Sequence, residues 1–254
     1  MLKCFGKSVL KGIAVGKIYL YHKKEFVLTE DKVEDAEAEI RRFEEAKQKA
    51  CEQLDALYEK AVKEAGEEQA MIFDVHRMML DDGDYLDAIR QEILDTKVNA
   101  AYAVSVTGDR FAEMFASMDD DYMKARSADV LDISRRVARI LAGVGEEGIA
   151  SDEPVILLAE DLSPSETVQI DKSKILAFVT KGGSTNSHTA ILARSMNIPA
   201  LVQADVELKD EYDGMLAVVD GFEGIIYIDP EAAVLAELLR RKEEADKAQA
   251  ELEQ

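Results

Sequence analysis

From about Leu28 to Gly143 the chain carries helical patterning without a strand signal, whereas apolar runs of strand type stand on either side of that stretch. This asymmetry constrains the fold more than any other feature. The opening run Gly12-Ile-Ala-Val-Gly-Lys-Ile-Tyr-Leu-Tyr21 reads as a strand, and one strand has no stability alone. It must pair with strands of the second half, which makes the helical stretch an insertion. Within it, Thr29 stands where an N-cap belongs, and Glu30 and Asp31 suit the positive first turn of a helix. Val33, Ala36, Ile40, Phe43, Ala50, Leu54, Leu57 and Ala61 follow a three-four spacing broken only by Lys47, which predicts one long helix with a narrow apolar stripe. Gly66 interrupts it, Glu67 to Leu80 forms a second helix, and Tyr85 to Thr96 a third. Asn99 caps a fourth that reaches about Phe115. Asp119 to Asp121 start a fifth, with Val130, Ile133, Val137, Ile140 and Val144 turned inward. Short polar connections imply antiparallel neighbours in a bundle.

After Gly143, Gly145 and Gly148 the texture changes to strands alternating with short helices. Pro154 to Ala159, Ile175 to Val179, Ala200 to Gln203, Gly214 to Asp220 and Gly224 to Ile228 read as strands. Ser163-Pro-Ser-Glu166 has the capping-box pattern with Pro164 at the first helical position. Asp229-Pro230 starts a last helix rich in Glu, Lys and Ala. The chemistry gathers at Lys181-Gly-Gly-Ser-Thr-Asn-Ser-His188-Thr-Ala-Ile-Leu-Ala-Arg194. A buried strand precedes it, and a helix from His188 to Met196, closed by Asn197 and Pro199, follows. Glycines let backbone approach a ligand, and the free N–H groups of a first helical turn point at negative charge. An imidazole at that junction is a nitrogen nucleophile, with an ordinary pKa of roughly 6.5. The stretch is not a P-loop, because it lacks the lysine followed by Ser or Thr that holds a triphosphate.

The formal charge of −21 argues against nucleic acid and favours a basic partner, although solubility alone would also account for it. No apolar run reaches the roughly 18 residues of a membrane span, and no signal-peptide h-region opens the chain. Cys4 and Cys51 lack metal-ligand spacing and read as free thiols of a cytoplasmic protein. Three scattered histidines suggest no metal site.

The segment Gly182 to Arg194 resembles the phosphohistidine signature of the phosphoenolpyruvate-utilising enzymes, which include pyruvate phosphate dikinase, phosphoenolpyruvate synthase and enzyme I of the phosphoenolpyruvate:sugar phosphotransferase system. The helical insertion is similar to the amino-terminal half of enzyme I. So are Leu162-Ser-Pro-Ser-Glu-Thr167 and Gly66 to Leu80, the latter resembling the family's helix that faces the phosphocarrier HPr. The resemblance implies an α/β phosphohistidine (swivelling) domain with an inserted all-α helical bundle and a C-terminal connector helix. On that scheme, residues 1–27 supply the first strand and 28–145 the HPr-binding bundle. Residues 146–229 form the phosphohistidine domain and 230–254 the connector. It also implies phosphoryl transfer from phosphoenolpyruvate to HPr. The phosphoenolpyruvate-binding C-terminal domain and its magnesium lie outside this sequence, so the chain is expected to be a monomer that exchanges phosphate with phospho-HPr and takes none from phosphoenolpyruvate.

The resemblance makes His188 the phosphoacceptor and sets Thr167 and Thr185 beside it. Gly182, Gly183, Ser184 and Ser187 would form the phosphate turn. Arg194 lies about 240° round the helix from His188 and is as well suited to a structural ion pair as to a phosphate clamp. On the second helix, Glu67, Glu68, Met71, Ile72, His76 and Met79 are the docking candidates. Positions 68, 72, 76 and 79 share one face by i, i+4 and i+3 spacing. Met123 and Arg126 join them by resemblance. Two other readings stand beside this one: a helical scaffold with a degenerate α/β domain that transfers nothing, and the phosphohistidine domain of a dikinase, which the lack of a nucleotide-binding segment disfavours.

Overall fold

The computed structural model describes residues 1–23, 26–145 and 151–252, the last four by backbone alone. The expected boundary at 145/146 and Gly148 lie outside the described residues. The chain divides into two compact units, Met1–Lys23 with Gly148–Gln254, and Lys24–Glu147.

The first unit opens with strands β1 (Leu2–Phe5), β2 (Lys7–Leu10) and β3 (Ile13–Tyr21). Only β3 is legible in the sequence. The chain returns to this unit as β4 (Val155–Ala159), and the two strands lie side by side in parallel, with Lys17 opposite Val155 and Tyr21 opposite Ala159. Parallel neighbours need a long crossover. Here the helical stretch is that crossover.

The crossover contains α1 (Ala36–Ala65), α2 (Glu67–Leu80), α3 (Gly83–Thr96), α4 (Ala100–Ala116) and α5 (Asp121–Leu141). Carboxylate or amide side chains start four of them: Asp35, Asp82, Asn99 and Asp120 accept the N–H of Ala38, Tyr85, Tyr102 and Met123. The helix start expected at Thr29 is therefore displaced to Ala36. Before it, the Val33 N–H donates to Lys97 O and the Asn99 N–H to Asp31 O, so residues 31–33 satisfy their backbone in a short extended pairing. Val33 leaves the stripe for the same reason. Val144 also departs from expectation, since α5 ends at Leu141 and Val144 is exposed. Phe43, Leu54, Phe73, Ile89, Ile93 and Ile133 are large side chains buried in the bundle's interior. The buried Glu39 closes it on one side, accepting the N–H of Ala100 at the positive end of α4 (2.8 Å) and pairing with Arg42 (2.6 Å).

After β4 come α6 (Pro164–Gln169), β5 (Ile175–Thr180), α7 (His188–Met196), β6 (Ala200–Val202), β7 (Leu216–Asp220), β8 (Ile225–Ile228) and α8 (Ala232–Leu252). The eight strands run in the order β1-β8-β7-β3-β4-β5-β6-β2. Strands β1 and β2 occupy opposite ends of that order although only Gly6 separates them in sequence. The sheet therefore closes on itself through one kinked segment, which leaves no bare edge there. A side chain at Gly6 would crowd Ala204 Cα and Val202 O at 3.2 Å, so the kink needs the smallest residue.

Alternate residues of the strands serve two cores. Ile156, Leu158, Val179, Val219 and Ile226 point to the inside of the closed sheet. Leu157, Ala159 and Phe178 point outward to Leu162, Leu192 and Ala193 beneath α6 and α7. Both faces are buried, which explains the near-continuous apolar runs of β4 and β5. The first turns of α8 pack through Leu238 on Ile13, Val218 and Tyr227. Arg241 then reaches the fully buried Asp220 at 2.9 Å. Cys4 and Cys51 are free and buried, and burial is the main cause pushing both thiols up.

Candidate functional site

Strands β3, β4, β5 and β6 are consecutive and parallel, so their carboxyl ends open on one side of the sheet. Ligands of α/β sheets gather at such ends. Three of these loops meet here: Glu160-Asp161 after β4, residues 181–187 after β5, and Gln203 after β6. The Lys181 N–H donates to Ala159 O (3.1 Å) and the Gly182 N–H to Glu160 O (2.7 Å), which ties the second loop to the first. The third loop holds the glycine pair from the other side. The Gln203 N–H donates to Gly182 O (3.2 Å), and Gln203 Nε2 donates to Gly183 O (3.0 Å). Thr180 Oγ1 adds a further bond to Gly182 O at 3.0 Å.

Gly183 adopts φ +79, and a Cβ there would also stand 3.3 Å from Asp161 Oδ1 and 3.4 Å from Ser187 Oγ. Backbone sterics and the two neighbours both select glycine. Beyond it, Ser184 folds the turn on itself: its carbonyl accepts the Ser187 N–H (3.0 Å) and its hydroxyl the Asn186 N–H (3.2 Å). Ser187 caps α7 by accepting the Ala190 N–H at 3.3 Å. Arg194 reaches back from the last turn of α7 to donate to Thr185 O at 2.7 Å. Arg194, open between a phosphate clamp and a structural ion pair, here braces the turn through this bond. Among the described residues, the N–H groups of Gly183, Ser184 and Thr185 meet no protein acceptor, and half-buried His188 follows them at the first position of α7. Free N–H groups in a turn that leads to an imidazole at a helix start make an anion cradle with a nucleophile beside it.

Thr167, expected beside His188, is buried in α6 and donates its hydroxyl to Pro164 O at 2.7 Å, a bond within its own helix. Asp161 carries no signal in the sequence reading, yet it lies close enough for the two charges to interact. Burial pushes its carboxyl above the ordinary aspartate value. The Leu162 N–H, Lys23 and His188 pull in the other direction, and Glu166 reinforces the rise.

On α2 the exposed face differs from the expected one. Glu67, Glu68 and Met71 are exposed and Ile72 and Met79 half-buried, but His76 has no exposed surface. Its Nε2 lies 3.2 Å from Asp129 Oδ1 of α5, and its Nδ1 sits 3.5 Å from Asp132 Oδ2, too far for a hydrogen bond. The inward row is Ala70, Phe73, His76 and Leu80. The supposed docking row 68, 72, 76, 79 therefore turns partly into the bundle. Met78, 73% exposed and seven residues past Met71, continues the outer face instead. Met123 and Arg126 are half-buried; Arg126 pairs with Asp129 (2.8 Å) and covers the exposed ring of Tyr122, 4.4 Å from its centre.

Comparison with known proteins matches residues 5–126 to the N-terminal model of the PEP-utilising enzymes and residues 151–224 to the model of their mobile domain. A solution structure described as Enzyme I (nEIt) superposes with a TM-score of 0.75 at 34% identity, covering 96% of this chain and 99% of that one. The chain belongs to the PEP-utilising enzymes and has the fold of the enzyme I N-terminal domain. A second enzyme I structure, the N-terminal domain of Enzyme 1 - Nitrogen, matches with a TM-score of 0.59 at 25% identity over 93% of this chain and 98% of that one. Phosphoenolpyruvate-protein phosphotransferases from Bacillus sp. (strain S) and Geobacillus stearothermophilus are 38% and 39% identical over 96% of the chain. The chain spans 43% of the length of each. The first of these models covers β2, β3 and most of the helical stretch, and the second covers the part of the sheet unit that holds His188. No helix among the described residues is long and apolar enough to cross a membrane.

Proposed function

We propose that His188 accepts a phosphoryl group and returns it, as the relay of a phosphoenolpyruvate-protein phosphotransferase. The observation that carries this reading is the position of His188 at the start of α7, three residues past the last of three backbone N–H groups with no protein acceptor among the described residues. In transfer, an imidazole nitrogen attacks phosphorus in line, one N–P bond forms, and the bond from phosphorus to the donor breaks. Charge on the phosphoryl oxygens falls where Gly183, Ser184 and Thr185 offer N–H groups, so the turn supplies positioning and electrostatics rather than covalent chemistry. Thr167 and the hydroxyls of Ser184 and Ser187 serve this site by shaping α6 and the turn. The partner is HPr, met in the cytoplasm on the outer face of α2. Glu67 and Glu68 there suit a basic protein, and Met71 and Met78 supply apolar area. Phosphoenolpyruvate and magnesium would be held by the remaining length of the relatives. The turn described here is built from neutral backbone donors and fits a phosphoryl group rather than a metal ion.

The test is incubation of the chain with phosphorylated HPr, followed by a search for acid-labile phosphate. Label on His188, absent from His188→Ala while that variant keeps its fold and its HPr affinity, is the expected result. A chain that binds HPr and takes no phosphate would instead be a docking scaffold.

A further inference from the structure

Gln203 stands in a conformation that its residue type does not favour. Its φ is +52, in the left-handed region that glycine enters freely and an L residue only against a steric penalty. Lys97 and Asn197 share that region as the residues that end α3 and α7, a common use of it, and Asp229 (φ +49) shares it at the end of β8, just before Pro230. Gln203 follows β6, is exposed, and spends both its N–H and its side-chain amide on the glycine turn. A retained strain of this kind points to something the side chain does.

What it does is visible in two bonds. Its N–H holds Gly182 O at 3.2 Å and its Nε2 holds Gly183 O at 3.0 Å. All described peptide bonds are trans, and in a trans peptide the C=O and the following N–H point in opposite directions. Fixing the two carbonyls toward β6 therefore turns the N–H groups of Gly183 and Ser184 the other way, out of the turn. These are two of the three donors that have no protein acceptor. A glycine pair without such a clamp would be free to flip its peptides, because glycine populates both signs of φ.

We propose that Gln203 is a positioning residue for phosphoryl transfer at His188. Its amide, aimed by the left-handed backbone, locks the Gly183–Ser184 peptide so that the Ser184 N–H faces the phosphoryl group. The inference rests on the reading of His188 as phosphoacceptor. The side chain touches no reacting atom and acts through the turn.

A structural role and a positioning role predict opposite outcomes for Gln203→Gly. Glycine relieves the backbone penalty, so this variant should melt at or above the parent temperature. Its maximal single-turnover rate of His188 labelling by phospho-HPr should fall about three- to tenfold, the worth of one neutral hydrogen bond. The half-saturating HPr concentration should not move, since α2 carries the docking face. Gln203→Glu, of the same shape but without a donor at its tip, should lose rate to the same extent. Parent-like rates in both variants would overturn the proposal, as would a rate loss in Gln203→Gly accompanied by a lower melting temperature. An unlabelled parent chain would instead remove the phosphoacceptor reading itself, a failure that the parent control reports separately.

Discussion

Replacing His76 by alanine separates the row read from spacing from the packing that the structure shows. If the imidazole belonged to the docking face, its loss would weaken HPr binding and leave stability untouched. Buried as it is, the side chain fills space between α2 and α5 and sits edge-on to Phe73 with ring centres 6.2 Å apart. Emptying a site of this size costs about 2–5 kcal/mol when the surroundings relax only in part. The change also removes the ring nitrogen beside Asp129, and a buried acceptor deprived of its partner costs about 1–3 kcal/mol more. Arg126, 2.8 Å from the other oxygen of Asp129, offsets part of that second loss. The two effects overlap, so we expect about 3–5 kcal/mol for His76→Ala. In a unit of this size that corresponds to a fall of roughly 10–15 °C in the melting midpoint. His76→Gln, which keeps an N–H donor, should recover about half. Thermal and urea unfolding followed by helical circular dichroism measure both, and amide exchange should show the loss of protection concentrated in α2 and α5. An alanine variant that melts within about 2 °C of the parent and binds HPr poorly would refute the packing argument and return His76 to the surface.

Two further perturbations test the sheet unit and the bundle. Asp161 has a folded pKa raised chiefly by burial, so its contribution to stability is fully present below the ordinary aspartate value, roughly 3.9, and is lost as pH rises through the raised one. Asp161→Asn, which still accepts the Leu162 N–H, should therefore melt above the parent near pH 7–8, with the gap closing toward pH 4; a gap independent of pH would contradict this. Gly108 of α4 lies so close to α5 that a Cβ would stand 2.5 Å from Ser134 Cβ, and Ser134 Oγ shares a buried hydrogen bond of 2.7 Å with Tyr85, whose phenol burial pushes up to about 12. Gly108→Ala should thus destabilise by about 2 kcal/mol despite a gain of about 1 kcal/mol in helix propensity, and Ser134→Gly in the same chain should recover part of the loss; a stabilised single variant would disprove the close packing.

Much of the fold is legible because local chemistry and tertiary structure agree. Asn99 and Ser163 stand where the sequence places caps, and each accepts the expected N–H. Gly66, at φ +93, breaks α1 from α2 where the pattern breaks, and Asn197 closes α7 in the left-handed conformation. Thr29 misleads because a hydroxyl followed by two acids is a sufficient N-cap signal on its own. Asp35 is an equally good cap six residues later, and pairing of residues 31–33 with 97–99 decides between them. Strands β1 and β2 escape notice for a different reason. Each is four residues long and mixes lysine (and in β2 serine) with apolar residues, and their partners lie at least 190 positions away. His76 is misplaced because polarity is a poor guide to facing when Asp129 of α5 receives the polar atom.

The site divides along the same line between near and distant causes. His188, the glycine pair and the cap at Ser187 are neighbours in sequence, so their spacing alone shows a turn that ends in a nucleophile. Asp161 and Gln203 reach the turn from other loops, and no spacing relates 161, 183 and 203. The missing step is topological. Once the strands ending at residues 159, 180 and 202 are read as consecutive and parallel, their carboxyl ends must open together. Asp161 and Gln203 then follow as the polar side chains within two residues of those ends. Parallel order was within reach, since β4 to β6 alternate with short helical segments and are apolar on both faces. What no pattern could supply is the sign of φ at Gln203. The turn's free N–H groups are held outward by a backbone conformation 20 residues away in sequence, and that conformation is a property of the folded sheet rather than of the residue that adopts it.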